Sequence, residues 1–145
     1  MAVLTDTNIF LGLLQPHHPH CQVAGRALDT LRAREEVLNV APQNLVELRA
    51  AATRPFAENG LGLTVVQATK ELDQIKRFWT LLPDVPLYEE WERIVKMHRV
   101  SGKGTHDARL VAAMHVHGIE NVLTFNREDF ARFRDIKVLD PANIG

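Results

Sequence analysis

Four acidic residues stand beside core-forming segments: Asp6 in AVLTDTN, Glu47 in NLVEL, Asp107 in GTHDARLVAA and Asp129 in VLTFNREDF. Each has a purely structural alternative. Asp6 with Thr7 and Asn8 is good turn and N-cap chemistry. Asp107 could be a first-turn acid favoured by the helix dipole. Glu47 could lie on a solvated helix face, and Asn126 with Asp129 has the spacing of a capping box. Two arguments favour function. At helical period Asp107 shares a stripe with Leu110, Val111 and Met114, which should face the core. Asp6 ends a strand-like run, and α/β sheets take their ligands beyond the carboxyl ends of their strands. Four carboxylates in one pocket would repel, raising some of their pKa values until a divalent cation neutralised them. Magnesium takes oxygen ligands, typically one or two carboxylates with waters and substrate phosphates. Such an ion can activate a water and stabilise charge developing on a phosphoryl oxygen. The matching reaction is phosphodiester hydrolysis.

The elements that must position these acids follow from the hydrophobic pattern. AVLTD (2–6), VLNVA (37–41), NVLTF (121–125) and IKVLD (136–140) are short apolar runs that predict buried strands, with TLLPD (80–84) as a further short one. Helical spacing predicts a short helix around Ile9 to Leu14, broken by Pro16 and Pro19, then a helix from Cys21 to about Glu35. Pro42 suits the first turn of a helix reaching about Thr53. Thr64 can cap a helix through about Phe78, and a helix from Pro86 to about Val100 puts Trp91, Ile94 and Val95 on one face. The next runs from Thr105 to His117 and is stopped by Gly118. REDFARF (127–133) reads as a short helix. Strands alternating with helices predict an α/β fold with a mainly parallel sheet.

Composition narrows the classes. A chain of 145 residues fits one domain, residues 1–145. Seventeen Lys and Arg against eighteen Asp and Glu give a net charge of −1, which excludes a strongly basic nucleic-acid binder but not a local basic rim. Cys21 is the one cysteine, so no intramolecular disulfide can form. With no signal-like segment and no apolar run near the length of a membrane span, the expected location is cytoplasmic. Other motifs fail. HHPHC (17–21) has no second ligand cluster for zinc. GKGT (102–105) has Met97 and Gly104 where a phosphate-binding loop needs Gly and Ser or Thr. GLGLTV (60–65) lacks the third glycine of a dinucleotide fingerprint. Ser101 and Cys21 have no nucleophile context. His115 and His117, near a helix end, read as solvated or dipole-compensating residues.

From end to end the order of the four acids resembles that of the PIN domain ribonucleases, and within them the VapC-type toxins of toxin–antitoxin pairs. LTDTNIF resembles the family's opening strand, with Asp6 as first metal ligand and Asn8 in a structural place. NLVELRAAATR resembles the second segment and assigns Glu47. HDARLVAAMHVHGIENVLTFNREDFARF is the most specific match, putting Asp107 third and Asp129 fourth, with Thr124 and Asn126 in supporting polar positions. The resemblance implies a three-layer α/β/α sandwich with a parallel sheet of four or five strands. It implies Mg²⁺-dependent endonucleolytic cleavage of RNA, with Mn²⁺ as a substitute. It also implies a homodimer, for which Val65, Val66, Leu72 and Ile75 offer apolar surface. An antitoxin would block the site, presenting Arg or Lys to the carboxylates. Because the chain is near neutral, RNA attraction must come from local residues such as Arg49, Arg54, Lys103, Arg109 or Arg127. Two other readings compete: a PIN-like scaffold that binds RNA or protein without cutting, and an HD-type metal phosphohydrolase suggested by His106-Asp107. Retention of all four acids argues against the first, and the several strands argue against the second.

Overall fold

Ala2–Thr5 is short, apolar and rich in β-favouring residues, and it forms β1, the central strand of the sheet. The computed structural model describes residues 1–144. Within them, β2 (Val37–Val40), β3 (Thr80–Leu81), β4 (Asn121–Leu123) and β5 (Lys137–Leu139) complete a five-stranded sheet in the order β3-β2-β1-β4-β5. Every pairing is parallel, with Leu4 opposite Asn39 on one side and Val122 on the other. Parallel neighbours need crossover connections, and helices supply them. These are α1 (Thr7–Leu13), α2 (Pro19–Ala33), α3 (Pro42–Thr53), α4 (Val65–Phe78), α5 (Tyr88–His98) and α6 (Gly104–His117).

Side chains alternate across a strand, so β1 feeds two cores. Val3 packs with Ala24, Ala27, Leu28 and Leu31 of α2 on one face. Leu4 packs with Leu110, Val111 and Met114 of α6 and Ile94 of α5 on the other. A third cluster joins Phe10, Val40, Leu48, Leu72 and Ile75 beneath α3 and α4. The result is the α/β/α sandwich. Leu4 is fully buried, and shortening it to alanine would cost about 2–5 kcal/mol.

Several local expectations need correction. Pro19 does not break a helix; it occupies the first turn of α2, where its missing N–H is harmless. The predicted helix over 127–133 is a 3₁₀ turn over Arg127–Phe130 only, and β3 is limited to two residues. Leu72 and Ile75 are core residues, so of the four proposed dimer positions only Val65 and Val66 are exposed. His115 does lie in the last turn of α6, but it is only partly exposed, its ring set between Glu90 and Asp135. The other boundaries hold closely. Thr64 caps α4 in a reciprocal box with Gln67, and Gly118, at φ +67°, ends α6 in the left-handed conformation. No described helix is long and apolar enough to cross a membrane.

Candidate active site

Asp6 follows directly after β1 and Thr124 directly after β4, its neighbour in the sheet. Both are buried, Thr124 fully and Asp6 to 7% exposure. Thr124 Oγ1 donates to Asp6 Oδ2 at 2.8 Å. Asn8 Nδ2 donates to the same oxygen at 3.3 Å and to Thr124 Oγ1 at 3.0 Å, while Asn8 Oδ1 accepts from Phe125 N at 3.1 Å. The Asp6 carboxylate is thereby held in one orientation by the two strand ends. Its other oxygen caps α1, accepting from Thr7 N at 2.8 Å. The capping alternative is therefore true of Asp6 and does not exclude the functional one.

Glu47 reaches the site from α3. Thr7 Oγ1 donates to its Oε1 at 2.9 Å, and Gln43 Nε2 approaches its Oε2 at 3.4 Å. Asn44 Nδ2 in turn donates to Thr7 Oγ1 at 3.2 Å, and Asn44 Oδ1 accepts from Ala41 N, so the start of α3 is tied to the start of α1. The solvated-face alternative fails, because Glu47 is only partly exposed and bridged to the residue next to Asp6. Asp107 lies in the first turn of α6, half-buried. Among the described residues its carboxyl accepts no hydrogen bond, so it does not cap α6, although its first-turn place still suits the helix dipole. Asp129 is exposed on the 3₁₀ turn after β4. The Asn126 side chain makes no cap bond there; only the backbone is paired, Asp129 N to Asn126 O. The capping-box alternative thus loses its reciprocal bonds.

The four acids share one field. Burial is the main cause that lifts Asp6 to about 6 and Asp107 to about 7 from an ordinary 3.8. The charges of Glu47 and Asp129 push both upward, and that of Asp6 also pushes Asp107, whereas Thr124 and the Thr7 backbone partly lower Asp6. Lys103 is the one cation that eases Asp107. A set of hard oxygen donors with no internal counter-charge of comparable weight fits a divalent cation in chemistry. Among the described residues no three acidic, imidazole or thiol groups stand within ligating reach of one point.

The remaining sequence candidates divide. Arg54 and Arg109 line a cleft that runs up to Glu47. Lys103 and Arg127 are exposed at the edges of α6 and the 3₁₀ turn. Arg49 instead donates to Thr69 Oγ1 at 3.1 Å, bracing α3 against α4. Sequence reasoning missed Thr7, Gln43 and Asn44. The available signal was their position: polar residues one residue after Asp6, and three and four residues before Glu47, fall on the faces that meet.

Fold and site define a parallel α/β protein with acidic residues that feel one another's charge near the carboxyl edge of its sheet. The chain belongs to the PIN domain family, whose model matches residues 3–136. Several solved structures share its fold, three of which illustrate the likeness. VapBC2 from Rickettsia felis, bound to a promoter DNA fragment, has 14% identity and a TM-score of 0.71, covering 96% of this chain and 98% of its own. FitAcB from Neisseria gonorrhoeae has 20% identity and a TM-score of 0.65, covering 97% and 99%. VapC20 from Mycobacterium tuberculosis, a sarcin–ricin-loop-cleaving toxin, has 19% identity and a TM-score of 0.62, covering 89% and 93%. No curated protein sequence matches the chain.

Proposed function

We propose that this chain is a metal-dependent endoribonuclease that acts as the toxin of a toxin–antitoxin pair. The observation that carries the reading is that Asp6 and Asp107 are raised, chiefly by burial and further by the charges of Glu47 and Asp129 and, for Asp107, of Asp6, with no comparable cation beside them. Membership of the PIN family and likeness in fold to an RNA-cleaving toxin support the substrate class.

Asp6 and Asp107 would hold Mg²⁺ or Mn²⁺ most directly, with Glu47 and Asp129 completing the pocket. When bound, the cation supplies Lewis acidity and neutralises charge on the scissile phosphate. Thr124 and Asn8 fix the orientation of the Asp6 carboxylate, and Thr7 fixes that of Glu47. Asp129, exposed and without a side-chain hydrogen bond among the described residues, takes the proton of the attacking water at a carboxylate oxygen. Asn126 N donates to Thr124 Oγ1 at 3.0 Å and so ties the segment bearing Asp129 to the strand end.

The deciding experiment is cleavage of a labelled RNA by purified protein with Mg²⁺, with Mn²⁺ and with EDTA. Cleavage that needs the metal is expected, and metal-independent or absent cleavage would refute the reading. The partner is an antitoxin, which the VapBC complex of like fold supports; its Arg or Lys would neutralise the site carboxylates. Co-expression with the cognate antitoxin should relieve growth inhibition and yield a co-purifying complex. Homodimerisation, with Val65 and Val66 as the exposed remnant of the expected apolar face, is checked by light scattering.

A further inference from the structure

Arg109 lies at the meeting point of three cavities. The largest, about 770 Å³, runs between α3 and α6 and is lined by Val46, Glu47, Arg54, Asp84, His106 and Arg109. Another, about 490 Å³, is walled by Leu87, Tyr88, Trp91 and again Arg109. A crevice of only about 10 Å³ past Gln43, Leu82 and Leu87 also touches Arg109. Arg109 is the shared wall of the two larger cavities, so the surface groove runs from a site carboxylate past Arg109 to two aromatic rings.

The chemistry changes along that groove. Arg54 and Arg109 are exposed, and among the described residues neither forms an ion pair, in contrast to Arg93, which is matched to Glu90. Arg109 Nη1 donates to the neutral Gln43 Oε1 at 3.0 Å, so its position is fixed while its charge stays uncompensated. Asp84 is the one carboxylate lining the large cavity besides Glu47. At the far end Tyr88 is 64% exposed and its ring centroid lies 5.5 Å from that of Trp91. Trp91 is held in place by its Nε1 donating to Thr105 O at 2.7 Å. A fixed cation followed by an exposed tyrosine beside a half-buried tryptophan matches what a single strand of nucleic acid offers: a phosphate, then a base face freed from pairing.

We propose that a single-stranded segment of the RNA substrate lies in this groove, with a phosphate at Arg109 and an unpaired base stacked on Tyr88 and Trp91. The inference rests on the ribonuclease reading and adds where the strand leaves the site and which residues select it. Arg109 binds substrate. Gln43, which contacts Arg109, Glu47 and His106 O, is a positioning residue linking the groove to the acidic pocket.

The test uses the full-length chain and a short unstructured RNA labelled for fluorescence anisotropy, titrated in EDTA over a range of salt, with cleavage kinetics measured separately in Mg²⁺. Tyr88→Ala should weaken binding about five-fold or more without changing the salt slope. Arg109→Gln should reduce the slope of log affinity against log salt by about 0.7, one phosphate contact, which a merely structural change would not do. Both should raise KM more than they lower kcat. Thermal melts check that the variants are folded. Wild-type affinity and slope in both variants, or no RNA binding by wild type, would overturn the inference. So would a fall in assembly mass for Tyr88→Ala with RNA affinity intact, because the aromatic patch would then be a contact between copies. Cleavage persisting alongside those results would leave the ribonuclease reading standing. Binding that depends on Tyr88 and Arg109 without any metal-stimulated cleavage would support the groove and refute the catalysis.

Discussion

The two ends of α6 handle charge in opposite ways. At its N-terminal end Asp107 is half-buried among three other carboxylates, and only Lys103 relieves it. Eight residues further on, roughly 12 Å along the axis, His115 lies between two carboxylates, Asp135 Oδ2 at 2.6 Å and Glu90 Oε2 at 3.7 Å. Glu90 is also paired with Arg93, chiefly through a hydrogen bond that holds its carboxyl below the usual range. One end has matched its charges within the protein, and its acid is easier to ionise. The other has left them unmatched, and Asp6 and Asp107 are harder to ionise. An uncompensated cluster is unfavourable to the fold, so its persistence marks the end that awaits something from outside. The matched cluster can be read as a brace joining α5, α6 and the segment before β5.

The sharpest way to break this contrast is Asp107→Asn. Loss of residues that merely orient a metal ligand lowers affinity or activity about 10–100-fold, so loss of a direct ligand should exceed that in RNA cleavage. Metal-free stability should hold or rise, because one member of a repelling cluster becomes neutral. Wild-type cleavage at limiting Mg²⁺ would reverse the assignment of the two ends. Thr124→Val comes next. It removes a buried hydroxyl that serves Asp6, Asn8 and Asn126 N, and should cost about 1–3 kcal/mol in urea denaturation. It should also raise Asp6 further, because the Thr124 bond now lowers it.

The pH dependence should be smaller but diagnostic. Asp6 and Asp107 sit above their ordinary 3.8 in the folded state, so protonation favours the fold. Their contribution is complete below about pH 4 and is lost as pH rises through 6 and 7. Melts in EDTA should therefore show these groups lowering stability over that window. Mg²⁺ should restore it at pH 7.5 and do little at pH 5, where protons hold the ligands. Asp107→Asn should flatten the profile. The smallest effect is expected from Arg93→Ala at the matched end. Glu90, held low, contributes stability above its unfolded value that is lost as pH falls, the opposite sign. Removing Arg93 should trim that contribution slightly and leave cleavage kinetics unchanged.

The sequence was most legible where one local rule acted alone. The apolar run before Asp6, the Thr64 cap and the Gly118 stop each carry their own signal and stand where expected. It was least legible where two distant segments decide the outcome. Leu72 and Ile75 look like spare apolar surface on an isolated helix, yet they pack against Phe10, Val40 and Leu48. His115 resembles an exposed helix-end residue until Asp135, twenty positions later, folds back beside it. The acids themselves were found from their flanking elements, but the hydroxyl and amide groups that aim Glu47 depend on how α1 meets α3. Their spacing from Asp6 and Glu47 marks which helix faces they share, but not that those two faces meet.

The placement of β1 at the centre of the sheet has a consequence for timing. Asp6 is made almost at once, but the hydroxyl that orients it arrives 118 residues later, with the strand that pairs beside it. At roughly 5–20 residues per second of synthesis, the two are born on the order of ten seconds apart. Until β4 has emerged and docked, Asp6 has no Thr124 and Asp129 does not exist. A nascent chain therefore lacks the group that orients Asp6, and on the ribonuclease reading it would be inert toward RNA, until nearly all of the fold has been made.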